Sequence, residues 1–239
     1  MVSGCGASSR TSSAIGTSVR PKPTLAPVSF TPTTAFPAPP SHANVLNSSQ
    51  IVRLLKGVGQ SGPRLGDPNA RVSVTLYGDL ECPICRAFVL GAGFAKFVAR
   101  DVRAGNVSII YRGFETATRD PRIFKIQQVA ALAAGRQDRF WQFTMLFLLD
   151  QGTEGTAYVT SGFLDGLAGQ VPGLNFEQWI RDRNDPRFAK ELAHDISLGT
   201  RLGVVGTPTL IFQGPRGRAQ PSAAVPSYND LRRLLKKVA

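Results

Sequence analysis

With 239 residues, 42% of them hydrophobic, the chain can bury one substantial core with room for an inserted subdomain. Its richest apolar stretch, residues 140–149, is interrupted by Gln142 and Thr144 and is about half of what a bilayer demands, which excludes a membrane-spanning chain as written. The net charge of +12 resides in residues 86–137 and 199–239, while 138–198 are locally acidic; no basic run is interleaved with aromatic residues, so a solvated surface or an anionic membrane is expected, not nucleic acid.

Residues 6–43 are rich in Ser, Thr, Pro and Ala, without hydrophobic period or acidic residue, and read as a disordered tether within a first segment of residues 1–43. At its start, Val2-Ser3-Gly4-Cys5 resembles a bacterial lipobox, which makes Cys5 a candidate lipidation site. A signal segment needs a charged start and an apolar run that Met1 leaves no room for, so this reading places the true start upstream. The competing reading is chance, because small residues beside one cysteine are common in such a segment.

A helical lead-in, residues 44–64, carries a short helix over Gln50–Lys56. Val72, Val74, Leu76 and Leu80 then alternate as a strand, and Phe88, Val89, Phe94, Phe97 and Val98 follow at helical spacing. At the junction stand Cys82 and Cys85, with Pro83 where a first helical residue is favoured. Cys82 thereby becomes the helix cap, facing free backbone amides, with Cys85 one turn on and within reach of a disulfide. Such a site lowers a thiol from about 8.5 to roughly 3.5–7.5. The amides of Ile84 and Cys85, and the charge of Arg86, are the expected contributors. Asp79 and Glu81 lie close by as candidate proton relays to Cys85, although exposed turn carboxylates are the plainer expectation.

Residues 106–114 read as a second strand. Asp120-Pro121 and Asp185-Pro186 are two aspartate caps followed by a first-turn proline, each opening a helix. Between them fall helices at residues 138–149, 161–168 and 175–183, five in all, with Phe140, Trp141, Phe143 and Phe147 as the expected core of this helical block. Residues 206–212 form a buried-strand run with Pro208 near its head, and Ser227 opens a final helix. Neither His42 nor His194 can complete a four-ligand zinc site with Cys82 and Cys85, so no metal is expected. His194, beside Asp195, reads as a surface residue.

Gly-Asp-Leu-Glu-Cys-Pro-Ile-Cys, ending at Cys85, together with Gly206-Thr207-Pro208, resembles the thioredoxin superfamily and, within it, the DsbA-like disulfide oxidoreductases. The resemblance spans residues 65–239. It implies an α/β thioredoxin-like fold with an inserted all-helical subdomain at about residues 115–202, which accounts for the 126 residues between Cys82 and Pro208. It further implies Cys82 and Cys85 as the catalytic pair, Pro83 and Ile84 as the dipeptide that tunes them, and a cis Thr207-Pro208 bond whose loop holds substrate. The chemistry implied is disulfide introduction into exported proteins bearing free thiols, without a cofactor, in a secreted or membrane-tethered bacterial protein reoxidised by a quinone-linked membrane partner. Ile84 replaces the histidine of the strongest oxidant and Thr207 stands where some members have valine, and both temper the expected oxidising strength. The competing expectations are a reductant or isomerase using the same residues and a tethered binding module with a static disulfide.

Overall fold

The computed structural model describes residues 1–2 and 45–239; residues 3–44, including Cys5, His42 and most of the expected tether, lie outside the described residues. The lead-in contains α1 (Ser48–Leu55), capped by Asn47 in a reciprocal box with Gln50, and then a tight hairpin of β1 (Gln60–Ser61) and β2 (Arg64–Leu65). β3 (Val72–Gly78) leads into α2 (Pro83–Val89) and α3 (Ala92–Phe97), a π-helical turn over Val98–Val102, and β4 (Val107–Gly113). The inserted helices are α4 (Pro121–Gly135), α5 (Phe140–Leu149), α6 (Ser161–Gln170), α7 (Phe176–Asp182) and α8 (Pro186–Arg201). β5 (Thr209–Gly214), β6 (Gly217–Ala219) and α9 (Tyr228–Val238) complete the chain.

The strands form one sheet in the order β1-β2-β4-β3-β5-β6. β3 lies at its centre, parallel to β4 and antiparallel to β5, so that Leu76 is opposite Tyr111 on one side and Leu210 on the other. Successive side chains of a strand point to opposite faces. Accordingly Val72, Val74 and Leu76 enter the main core, while Tyr77 joins Leu202, Val204 and Ile211 in a second cluster across the sheet. Burial on both faces fixes β3, and with it the position of the turn that follows.

The helical expectation across 88–98 is corrected in one respect. The stretch is broken at Gly91, which has extended backbone (φ −77°, ψ 155°) and caps α3. A Cβ there would lie 2.6 Å from the Ala87 carbonyl oxygen, so the close turn between α2 and α3 requires glycine. The lead-in docks on this kink: Leu46 donates to the Leu90 carbonyl at 3.0 Å, and Val45 bridges to Gly91.

The five inserted helices form where the caps and apolar periods place them. Asp120 and Asp185 accept from the amides of Arg122 and Arg187 at 2.8 and 2.9 Å, and the prolines occupy the first turns of α4 and α8. The aromatic residues of α5 do more than form a separate core, however. Trp141 stacks on Phe94 and donates its indole N–H to the Pro63 carbonyl, and Phe140 packs on Tyr111 of β4. Phe143 and Phe147 instead meet Trp179 and Phe163 of the inserted helices. A helix apolar on all sides is buried on all sides, and α5 joins the insertion to the sheet.

Candidate active site

β3 ends at Gly78, and the turn Asp79–Glu81 delivers Cys82 to the N-cap of α2, with Pro83 at the first helical position. The Cys82 backbone is extended, and its sulfur accepts the amide of Cys85 at 3.3 Å. Both cysteines are free thiols. The Thr207-Pro208 peptide bond is cis, and the loop brings the Thr207 carbonyl oxygen to 3.3 Å from the Cys82 sulfur, where a protonated thiol donates to it. Two segments 125 residues apart thus face each other across the dithiol.

The two sulfurs differ in their affinity for a proton. A hydrogen bond from the Cys85 thiol brings Cys82 down to about 7 against the opposing effect of burial, with the Thr207 hydroxyl and the amides of Cys85 and Ile84 contributing further. Burial pushes Cys85 well up, and the neighbouring Cys82 sulfur reinforces this. One proton shared by the pair therefore resides on Cys85. Arg86 is turned toward the insertion, where its Nε donates to the Leu148 carbonyl at 2.8 Å. Cys82 is also covered, at 5% exposure against 3% for Cys85, so ionisation rather than exposure distinguishes them.

Asp79 and Glu81 are not the exposed turn carboxylates expected, with exposures of 0% and 2%. Asp79 Oδ2 accepts the successive amides of Thr116, Ala117 and Thr118 at 2.8–2.9 Å, while Oδ1 accepts the Thr118 hydroxyl at 2.6 Å and the Glu81 amide at 3.1 Å. Such a carboxylate is an anchor for the segment after β4, its oxygens committed to fixed donors. Glu81 turns toward the insertion, where Gly155 N–H lies 3.4 Å from Oε2, and burial raises its pKa. His194 is exposed on α8, 3.8 Å from Asp195. Among the described residues no group of His, Cys, Asp and Glu is arranged to hold a metal ion.

Two residues at the site escape sequence reasoning. Gln151, just after α5, donates to the carbonyls of Leu80 and Cys82. Thr116 hydrogen-bonds the Thr207 hydroxyl through its own. Neither stands in a motif, because each acts through a contact made only when distant segments meet.

A family model described as Thioredoxin matches residues 59–237, three quarters of the chain. The chain belongs to this thioredoxin family. Its fold, with the helical insertion, is DsbA-like. Disulfide bond formation protein D of Bacillus subtilis (strain 168) is 26% identical over 157 residues, covering 62% of this chain and 66% of that protein, just under two thirds of its length. Oxidised BdbD from Bacillus subtilis superimposes with a TM-score of 0.63 at 22% identity, over 75% of this chain and 96% of that one. DsbA of Chlamydia trachomatis gives 0.61 at 20% identity, over 75% and 92%. These likenesses establish the thioredoxin-like fold with its helical insertion.

Proposed function

We propose that this protein catalyses thiol-disulfide exchange on other proteins outside the cytoplasm, as an oxidant. The observation that carries the reading is the Cys82 sulfur at the helix cap, lowered to about 7 and facing the Thr207-Pro208 loop at 3.3 Å. With Cys82 and Cys85 joined as a disulfide, a substrate thiolate attacks the Cys82 sulfur; the S–S bond breaks and its electron pair leaves on Cys85, which takes up a proton. A second substrate thiolate attacks the substrate sulfur of the mixed disulfide and expels Cys82 as a thiolate. The substrate loses two electrons and gains a disulfide; the protein ends as a dithiol. Burial, which favours the neutral thiol of Cys85, and the hydrogen bonds that favour the anion of Cys82 suit these two sulfurs to unequal roles.

A stabilised Cys82 thiolate favours the reduced protein and so makes its disulfide oxidising. Pro83 and Ile84 tune that balance from between the cysteines, while Thr207 and Pro208 offer the edge along which an extended substrate segment lies. The substrates are exported proteins with free thiols, and a membrane quinone-linked partner accepts the electrons. The similarity to a protein named for disulfide bond formation supports the direction. Acylation at Cys5 would hold the domain at a membrane surface; no described helix is long and apolar enough to cross one.

The deciding experiment is a redox titration of Cys82-Cys85 combined with turnover on a reduced, unfolded protein. A potential above about −270 mV, thioredoxin's value, with disulfides appearing in the substrate, supports the oxidant. A potential at or below it favours the reductant. Slow reduction by dithiols with no turnover would leave a static disulfide.

A further inference from the structure

We propose that the end of the sheet opposite the dithiol is a docking surface for an anionic phospholipid bilayer, formed by Lys56, Arg71, Arg100, Arg103, Lys236 and Lys237. This goes beyond the thiol-disulfide reading and does not rest on it.

Strand register places these residues together. β3 and β4 run parallel and both start at this end, where Val72 pairs with Val107, and antiparallel β5 finishes there, with Ser73 opposite Gln213. Arg71 immediately precedes β3. Arg100 lies within the π-helical turn that returns the chain to β4, and Arg103 directly follows it. Arg103 donates to the carbonyls of Lys56 and Leu54, both at 2.7 Å, which brings the end of α1 to the same place. The last turn of α9 is tied there too, because the Arg216 amide, just beyond β5, donates to the Val238 carbonyl at 3.0 Å. Four separate stretches of chain thus deliver six exposed cations to one end.

Little opposes their charge. The oxygens that hold Arg103 are carbonyls, which fix the guanidinium without neutralising it. Asp101 is buried and paired with Arg232. Among the described residues the exposed acids at this end are Asp67 and, at its margin beside Arg139, Asp138. The turns around the dithiol have the reverse character: Glu115, Asp150 and Glu154 stand beside the buried Asp79 and Glu81, against Arg86 and Arg119.

The molecule is therefore polarised along its central strands, so an anionic surface draws the basic end down and turns the dithiol outward. The seven residues of β3 alone set about 20 Å between the two ends, more than twice the roughly 8 Å Debye length of physiological salt. The dithiol lies outside the potential of the surface on which the other end rests. Lipid fits this face better than nucleic acid does. Single strands need aromatic side chains for stacking, and among the described residues the one exposed aromatic, Phe176, is on α7 of the insertion. Clusters of about four to eight Lys and Arg are what anionic headgroups attract.

The test is co-sedimentation of the full-length, unacylated chain with vesicles of mixed phosphatidylglycerol and phosphatidylcholine, and with phosphatidylcholine alone. Wild type is compared with the double variants Lys236→Glu/Lys237→Glu and Lys125→Glu/Lys190→Glu. The second pair makes the same change of net charge at exposed positions of α4 and α8. The expected result is binding to the anionic vesicles alone, weakened at least about tenfold by the first pair and less than about threefold by the second. On the vesicles, alkylation of Cys82 should proceed as in free solution. An equal loss in both variants overturns the proposal, since net charge and not this face would then govern binding. So do absence of binding, tighter binding to a single-stranded oligonucleotide than to the vesicles, and blocked alkylation of Cys82, which would put the dithiol against the lipid. Binding is read without turnover, so its failure leaves the exchange reading standing, and an inactive wild type leaves the docking surface standing.

Discussion

Gln151 donates its side-chain amide to the Leu80 carbonyl at 2.6 Å and to the Cys82 carbonyl at 3.2 Å, although it lies 69 residues beyond Cys82 in the chain. The insertion is thus joined to the dithiol turn by hydrogen bonds. Gln151→Ala removes both donors while Cys82 O keeps its bond from the Arg86 amide. Losing one or two buried bonds costs about 1–2 kcal/mol, which for a chain of this size lowers the melting temperature by roughly 2–8 °C. Thermal unfolding of the reduced protein measures it, and amide exchange should quicken at residues 80–85 before it does in β3. Unchanged stability and exchange would mean that water replaces Gln151 without cost.

The unequal sulfurs lead to a second expectation. Alkylation requires the thiolate, so iodoacetamide should modify Cys82 with a pH midpoint of about 7 and leave Cys85, raised by burial, more than about tenfold slower at neutral pH. Cys82→Ser should abolish exchange, whereas Cys85→Ser should accumulate mixed disulfides when its Cys82 thiolate attacks a disulfide-bonded substrate, because the Cys85 thiol that would attack Cys82 and release that substrate is gone. Mass mapping of the modified cysteines decides it; equal rates at both positions would contradict the assignment.

Asp79→Ala should be among the most damaging single substitutions outside the large core residues. It strips acceptors from four backbone amides, those of Glu81, Thr116, Ala117 and Thr118, and from the Thr118 hydroxyl, in a site with no exposure. Each buried donor left unpaired costs about 1–3 kcal/mol, so a loss of at least about 3 kcal/mol is expected after local water entry. Denaturant unfolding supplies the number. A loss below about 1 kcal/mol would show that the 116–118 amides find other acceptors.

Most helix starts were legible in the sequence because they are local chemistry. Asp120, Asp185 and Ser227 cap within three residues, and Pro83, Pro121 and Pro186 announce the first turns next to them. The dithiol could be read for the same reason: Cys82 and Cys85 are three residues apart and their cap is made by their own helix. The β1–β2 hairpin was hidden, since two-residue strands have no period; Gly62, with φ of +52°, turns it at Ser61–Arg64. Asp79 and Glu81 were misread as exposed because polarity alone suggests solvent, and the amides that bury Asp79 come from 37 to 39 residues downstream. Thr116 and Gln151 carry no local pattern at all. Their roles exist only once β4, the insertion and the Thr207 loop have converged on the turn after β3.

The final expectation concerns stability of the reduced protein as a function of pH. Cys82 is brought from an ordinary 9.0 down to about 7 in the folded dithiol. A group whose folded value lies below its unfolded one adds stability that is fully present above the unfolded value and is lost as pH falls through the folded one. Between pH 9 and pH 6 the reduced protein should therefore lose up to about 2.7 kcal/mol from this group, two pH units at about 1.36 kcal/mol each. Cys85 acts oppositely: raised by burial, it resists an ionisation that the unfolded chain undergoes, and it erodes stability above its ordinary value. The two effects separate on the pH axis, so the Cys82 contribution stands out between about pH 6 and pH 8. Denaturant midpoints of reduced wild type and reduced Cys82→Ser, compared at pH 6 and pH 8, isolate it, because serine does not titrate there. The stability difference should move in favour of wild type as pH rises; a difference independent of pH would mean that Cys82 is an ordinary thiol and would remove the basis for an oxidising disulfide.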